Sequence, residues 1–342
     1  MKIALDATYG LGDQLSGVGL YSHEILTGLA AAHPETRFHF CYRPHRYFRS
    51  WALDLPHNVR RRPILEPFSP RGQDLFHGLN QRLPHLPLRR AVATFHDLFV
   101  MTGEYSTPEF RARFTGQARD AAARADAIIA VSEFTRGQVI ALLGVAPSKV
   151  RAIHHGVRVL TFPAVERERL ILHVGAIQTR KNVARLVEAF ETVDRSWRLV
   201  LAGSSGYGSH EILARIARSP AHGRISVTGY VSPAELAAWY AKAAIFAFPS
   251  LDEGFGMPVL EAMAAGTPVV TSNRSALPEV AGEAALLVDP EDAEALGQAL
   301  RDLTQSEERR QDYARRGIAR ARLFPWDKAV TKTWEVYREL LG

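Results

Sequence analysis

One cysteine, Cys41, is all the thiol chemistry in the chain, which excludes an internal disulfide framework and a cysteine-rich metal site. Long apolar runs are also missing. The stretch "AAIFAF" at 243–248 has the length of a strand, far below the ~20 residues that cross a bilayer. No basic-then-apolar leader opens the sequence, because "MKIALDATYG" turns polar at once, and a reducing cytoplasm is the expected compartment. The loops hold no Asp-x-Asp pair, so neither a divalent metal nor another cofactor is expected. A dinucleotide fingerprint is absent too. "SGVGLY" (16–21) has Gly17 and Gly19, but Ser22 stands where the third glycine belongs, and ten residues separate Gly17 from the first strand.

What is present is an ordinary globular composition with one local anomaly. Hydrophobic residues make up 46% and charged residues 23% of 342, enough chain for two domains with large cores. The net charge of +6 is uneven: residues 37–90 hold 11 arginines and three acids, Asp54, Glu66 and Asp74. "PHNVRRRP" (56–63) and "LPLRRA" (86–91) are the densest pieces. A basic face of this kind either is plain solvated surface or meets an anionic partner, such as a membrane or a phosphorylated acceptor. Nucleic acid is not expected, since no zinc-finger spacing, RNA-binding aromatic signature or basic heptad accompanies the charge.

Short apolar runs alternate with helical patterns. Strands are expected at 2–6, 37–42, 91–95, 127–131 and 149–153, and in a second series at 170–175, 198–203, 224–229, 245–248, 268–272 and 285–288. Between them lie helices such as "SPAELAAWYAKA", where Ser232, Pro233 and Glu235 form a capping box with proline at the first helical position. Strand–helix alternation implies parallel sheets covered on both faces. The pattern breaks in the polar stretch 154–169, so we expect an α/β chain of two doubly wound, Rossmann-like domains, 1–156 and 157–326. Ligands of such sheets bind beyond the carboxyl ends of the strands, here in a central cleft. The segment 324–341 reads as an amphipathic helix with Trp326, Trp334 and Tyr337 on its apolar side.

The chemistry concentrates in "DEGFGMPVLEAMAAG" (252–266). Pro249 ends the strand "IFAF", "SLDEGFG" is a loop, Pro258 suits a first helical turn, and Gly266 ends that helix. Gly254, Phe255, Gly256 and Met257 would then offer backbone N–H groups at a helix N-terminus, a setting that suits phosphate. Two acids, Glu253 and Glu261, stand beside this anion site. They fit if they accept hydrogen bonds from the hydroxyls of a sugar and a ribose. The plain alternatives are a solvated loop acid for Glu253 and, for Glu261, an exposed acid favoured by the helix dipole.

This stretch resembles the Glu-x7-Glu motif of retaining glycosyltransferases of GT-B architecture, specifically glycosyltransferase family 4. The resemblance spans nearly the whole chain through "SGVGLY", "TFHDL" (94–98), "AVSEFT" (130–135), "VGAIQTRKN" (174–182), "LAGS" (201–204) and "ALPEVAG" (276–282), in that order. It implies that Arg180 and Lys181 hold the diphosphate of a nucleotide sugar, where a cation gains strength as the leaving group gains charge. Surface cations are the plain alternative. By the same resemblance His96, with Asp97 in support, contacts the transferred sugar; the alternative is a loop histidine bonded only to backbone. Gly17, Gly19, Gly175 and Gly203 would allow close backbone approach, and Tyr230 and Val231 would meet the nucleobase through main chain. The final helix, 327–342, would pack back on the first domain; otherwise it is a core helix of the second. Two departures stand out. Ala176 replaces an arginine found in some relatives, and "HHGVR" (154–158) replaces their frequent Asn-Gly-Val-Asp.

The resemblance implies transfer with retention, by front-face displacement through an oxocarbenium-like state. Its style resembles that of bacterial mannosyl- or rhamnosyltransferases of polysaccharide assembly, with GDP-mannose the first expected donor and a UDP-sugar the second. The acceptor would be a glycan or a lipid-pyrophosphate-linked glycan at the inner membrane face, with peripheral contact to anionic lipid. Rivals are a nucleotide-sugar-binding protein without turnover and a Rossmann oxidoreductase, which would need the missing glycine fingerprint.

Overall fold

The computed structural model describes residues 1–12 and 15–342. They form two compact units. The first comprises Met1–Thr102, Thr107–Gly156 and Pro325–Gly342; the second comprises Gly103–Ser106 and Val157–Phe324.

The first unit holds seven strands: β1 (Lys2–Asp6), β2 (Arg37–Tyr42), β3 (Val59–Pro63), β4 (Leu75–Gly78), β5 (Ala91–Phe95), β6 (Ala127–Ala130) and β7 (Val150–Ala152). They pair in the order β3-β2-β1-β4-β5-β6-β7, all parallel. The second unit has six: β8 (Glu168–Val174), β9 (Arg198–Ala202), β10 (Ile225–Gly229), β11 (Ala243–Phe248), β12 (Val269–Ser272) and β13 (Ala285–Val288). Their order is β10-β9-β8-β11-β12-β13, again parallel. Strand order reverses between β1 and β4 and between β8 and β11. Those reversals open the crevices in which doubly wound sheets bind ligands.

All eleven expected strands are present, and two more appear. β3 is an edge strand with three successive arginines, Arg60 and Arg62 exposed and Arg61 half-buried, so it carries no apolar run. β4 is central but only four residues long, "LFHG", and its histidine and glycine read as loop. Central β11, by contrast, is buried at every position, as a parallel strand covered on both faces must be. Each fully buried large apolar side chain in these cores contributes about 1.5–3 kcal/mol. The capping box is formed: Ser232 Oγ accepts from the Glu235 N–H at 3.3 Å, and Glu235 Oε2 accepts from the Ser232 N–H at 2.8 Å.

The helix Trp326–Leu341 lies against the first unit. Ala329, Val330, Val336 and Tyr337 enter the core that Ile3, Leu29 and Phe38 build, and Trp334 stacks on His33 at 3.6 Å. Among the described residues no helix is long and apolar enough to cross a membrane.

Candidate active site

At the carboxyl edge of the second sheet the loops after β8, β9 and β11 meet. Gly175 donates its N–H to Ala202 O at 2.9 Å, and a Cβ at Gly203 would fall on the Gly175 carbonyl oxygen. Only glycine permits that approach. Arg180 and Lys181 lie in the single turn Thr179–Lys181. Asn182, in the left-handed region at φ 56°, follows it and donates from Nδ2 to Pro249 O at 3.1 Å and Pro290 O at 2.6 Å. Leu251 N–H donates to Arg180 O at 2.9 Å. The cationic turn is thereby fastened to the loop that carries Glu253.

The side chains converge. Lys181 Nζ sits 2.5 Å from Glu253 Oε1, Arg180 Nη1 sits 3.2 Å from Oε2, and Ser250 Oγ donates to Oε1 at 2.6 Å. Lys181 and Glu253 are each 8% exposed, so neither is a solvated surface charge. Burial alone would push the Glu253 carboxyl up, but Arg180, Lys181 and the hydrogen bonds from Lys181 and Ser250 hold it at about 2. It is therefore ionised throughout the neutral range. Two cations against one anion leave the cluster net positive and able to receive a phosphate. Lys181 Nζ also stands 4.7 Å above the Phe248 ring.

Beneath the cluster lies a residue that the sequence did not single out, His173 on β8. Its Nδ1–H donates to Ala247 O at 3.0 Å, and burial holds it neutral at about 4. Nothing in "LILHVG" separates this histidine from the strand pattern around it.

Gly256, at φ 105°, precedes the helix Met257–Ala264, where Pro258 has no N–H and the Val259 N–H already donates to Gly256 O at 3.0 Å. Phe255 is buried beside it. Glu261 is 4% exposed, which removes the exposed first-turn reading. Its Oε2 accepts from the Tyr240 hydroxyl at 2.9 Å, and its Oε1 lies 3.3 Å from Arg158 Nε. Tyr240, which no motif marks, was also missed, and Arg158 was noted only within "HHGVR", without a role. Tyr230 is half exposed and Val231 partly so, in the loop after β10 at the same sheet edge but two strands from β8.

In the first unit Gly17 and Gly19 fall inside the first turn of the helix Gly17–Ala32 rather than ahead of it, and Ser16 Oγ accepts from the Gly19 N–H at 3.2 Å. A Cβ at Gly19 would stand 2.9 Å from the Tyr9 carbonyl oxygen, so internal packing already requires that glycine. His96 follows β5 and is buried. Its Nε2 bonds the Leu79 carbonyl at 2.9 Å. A carbonyl only accepts, so Nε2 carries the proton and Nδ1 is an acceptor, here buried without a hydrogen-bond partner. Burial holds the ring neutral at about 4. Tyr21 meets it edge-on at 4.8 Å and stacks on His155, which stacks on Trp326 at 5.9 Å. A buried chain of hydrogen bonds supports Tyr21: its hydroxyl meets Thr94 Oγ1 (2.9 Å), Thr94 meets His77 Nε2 (2.8 Å), and His77 Nδ1 meets the Tyr337 hydroxyl (2.5 Å). Asp97 is partly buried after His96. Among the described residues no group of three His, Cys, Asp or Glu side chains is arranged to hold a metal.

Comparison with known proteins identifies the family. Residues 161–320 match the family described as glycosyl transferases group 1, and residues 15–159 match Glycosyltransferase Family 4. The chain is 30% identical to the O-antigen chain mannosyltransferase B of Escherichia coli, over 99% of this chain and 100% of that protein. Two solved structures share the fold: sucrose-phosphate synthase from Thermosynechococcus elongatus (TM-score 0.80, 21% identity, 99% of this chain and 98% of that one) and Anabaena HepE in complex with UDP and glucose (TM-score 0.75, 17% identity, 99% and 100%). The chain belongs to glycosyltransferase family 4 and is a hexosyltransferase of the GT-B fold.

Proposed function

We propose that this glycosyltransferase moves mannose from GDP-mannose to a growing glycan, with retention of configuration at the anomeric carbon. The observation that carries the reading is the buried Lys181–Arg180–Glu253 cluster, charged, net positive and placed at a sheet edge beside a helix N-terminus. Arg180, Lys181 and the N–H groups from Gly256 onward take the diphosphate. Glu253 accepts hydroxyls of the sugar, and Glu261 accepts those of the ribose. To His96, whose Nδ1 is an unprotonated acceptor, we give the acceptance of a sugar hydroxyl. In the step itself the bond from the anomeric carbon to the phosphate oxygen breaks and the bond to the acceptor oxygen forms on the same face. The acceptor's proton passes to the departing phosphate oxygen. The relative named a mannosyltransferase supports mannose. The neighbour solved with UDP and glucose keeps a UDP-sugar as the second reading.

A nucleotide-sugar panel tests the donor. A ligand present at 100 times its dissociation constant stabilises the fold by about 2.7 kcal/mol. GDP and GDP-mannose are expected to raise the melting temperature and UDP-glucose to leave it nearly unchanged. The reverse order would replace the donor, and a β-configured mannoside by NMR would end the retention reading.

The acceptor we read as a lipid-linked glycan reached from the membrane surface. Phe48 (81% exposed) and Trp51 (64% exposed) project beside Arg46 and Arg49, and Phe68 is exposed on the turn after β3. An aromatic and arginine face of this kind suits an anionic lipid interface. Arg61 is not free for lipid: its Nε donates to Ser50 O at 3.0 Å, its Nη2 donates to Leu53 O, and its guanidinium covers the Trp51 ring. Flotation with anionic vesicles is expected to carry the protein up, and Phe48→Ser with Trp51→Ser to abolish this. Equal flotation of the double variant would remove this face from the contact.

A further inference from the structure

Two carboxylates beside a diphosphate pose an electrostatic problem that Arg180 and Lys181 solve for only one of them. Glu253 shares both of those cations. Glu261 is a second buried acid, and burial raises its pKa, with Arg158 and the Tyr240 hydrogen bond opposing. Set against Arg180 and Lys181 alone, the two acids would cancel all positive charge at the site. The residue that restores it is Arg158, whose Nε lies 3.3 Å from Glu261 Oε1 and whose side chain is 19% exposed.

The geometry is specific. Tyr240 donates to Oε2 while Arg158 stands at Oε1, so each oxygen has one partner and keeps a second lone pair. The carboxylate plane is fixed from both sides, yet two acceptor positions remain, the number that a vicinal diol fills.

We propose that Arg158 is a positioning residue of the nucleotide site: it is the counter-cation that pairs with Glu261 and aims its carboxylate at the two ribose hydroxyls of a nucleoside diphosphate. This rests on the ribose role given to Glu261 above. Isothermal titration of the full chain with GDP and with 2′,3′-dideoxy-GDP, and with the corresponding UDP pair, separates the two claims. Wild type is expected to favour the ribonucleotide, and Arg158→Met to reduce the ribo-to-dideoxy preference by about tenfold, the loss of one charge-assisted contact. If Arg158→Met does not fold, Arg158→Gln, which keeps a polar side chain, is read in the same way. A variant that retains the wild-type preference overturns the role of Arg158 and leaves Glu261 as the ribose ligand. A wild type that shows no preference overturns both. A purely structural arginine would weaken the ribo and dideoxy forms equally, and that result also counts against the proposal.

Discussion

Lys181→Ala is expected to lower sugar transfer by roughly 10²- to 10³-fold with donor and acceptor saturating, the usual cost of removing one preorganised charge from a reacting centre. The ammonium is buried, fastened to Glu253 at 2.5 Å and backed by Phe248, so it is in place before any substrate arrives. As the glycosidic bond breaks, negative charge grows on the diphosphate, and a fixed cation in a poorly solvated site gains most at that moment. Donor affinity should fall much less than turnover. Glu253→Gln should fall in the same direction, because the neutral amide is a weaker acceptor for sugar hydroxyls and leaves two cations facing each other. Steady-state rates with radiolabelled donor decide it. Turnover within threefold of wild type in Lys181→Ala would remove the lysine from the chemistry.

Mild acid should unfold the protein well before its carboxylates titrate. Of the buried histidines, four are fully enclosed and held neutral: His77 at about 3, His96 and His173 at about 4, and His155 well below its ordinary value, each mainly by desolvation. In the unfolded chain they bind protons near pH 6.5. The unfolded state therefore takes up protons first, and stability falls as the pH drops from about 6.5 towards 4. Each site can withdraw on the order of a few kcal/mol, against a total stability of about 5–15 kcal/mol for a typical domain. Glu253 behaves oppositely: its contribution is present above the ordinary carboxylate range and is lost only as the pH falls towards about 2. Three of the four histidines lie in the first unit, so hydrogen exchange at pH 5 should show that unit opening before the second. Melting temperatures that stay level from pH 7.5 to 4.5 would contradict this.

The central strands could be read from the sequence because parallel strands covered on both faces must be apolar throughout. "AAIFAF" has no other comfortable use. β3 escaped because an edge strand has one partner and tolerates arginine at three successive positions, 60–62, so its sequence resembles a basic loop. At the site, residues standing in a motif come together: Lys181, Glu253 and Glu261 are buried, Arg180 is partly so, and Glu253 contacts both cations. The partners of Glu261 were not so marked. Tyr240 faces Glu261 from the middle of the helix Pro233–Lys242, where a tyrosine looks like ordinary core, and Arg158 reaches it from a stretch without periodicity. Sequence spacing carries contacts within one element, whereas contacts between distant elements depend on the finished topology.

The return of the helix Trp326–Leu341 to the first unit bears on synthesis. A ribosome finishes residues 1–156 long before it makes the segment that fills their core, and at about 5–20 residues per second the delay is roughly 10–40 s. During that interval Ile3, Leu29 and Phe38 lack the wall that Val330 and Tyr337 later provide, and His77 lacks its phenolic partner. The second unit, wholly encoded by residue 324, faces no comparable wait. The amino-terminal half of this enzyme is thus the last to mature, and a nascent-chain holdase would find its binding surface there.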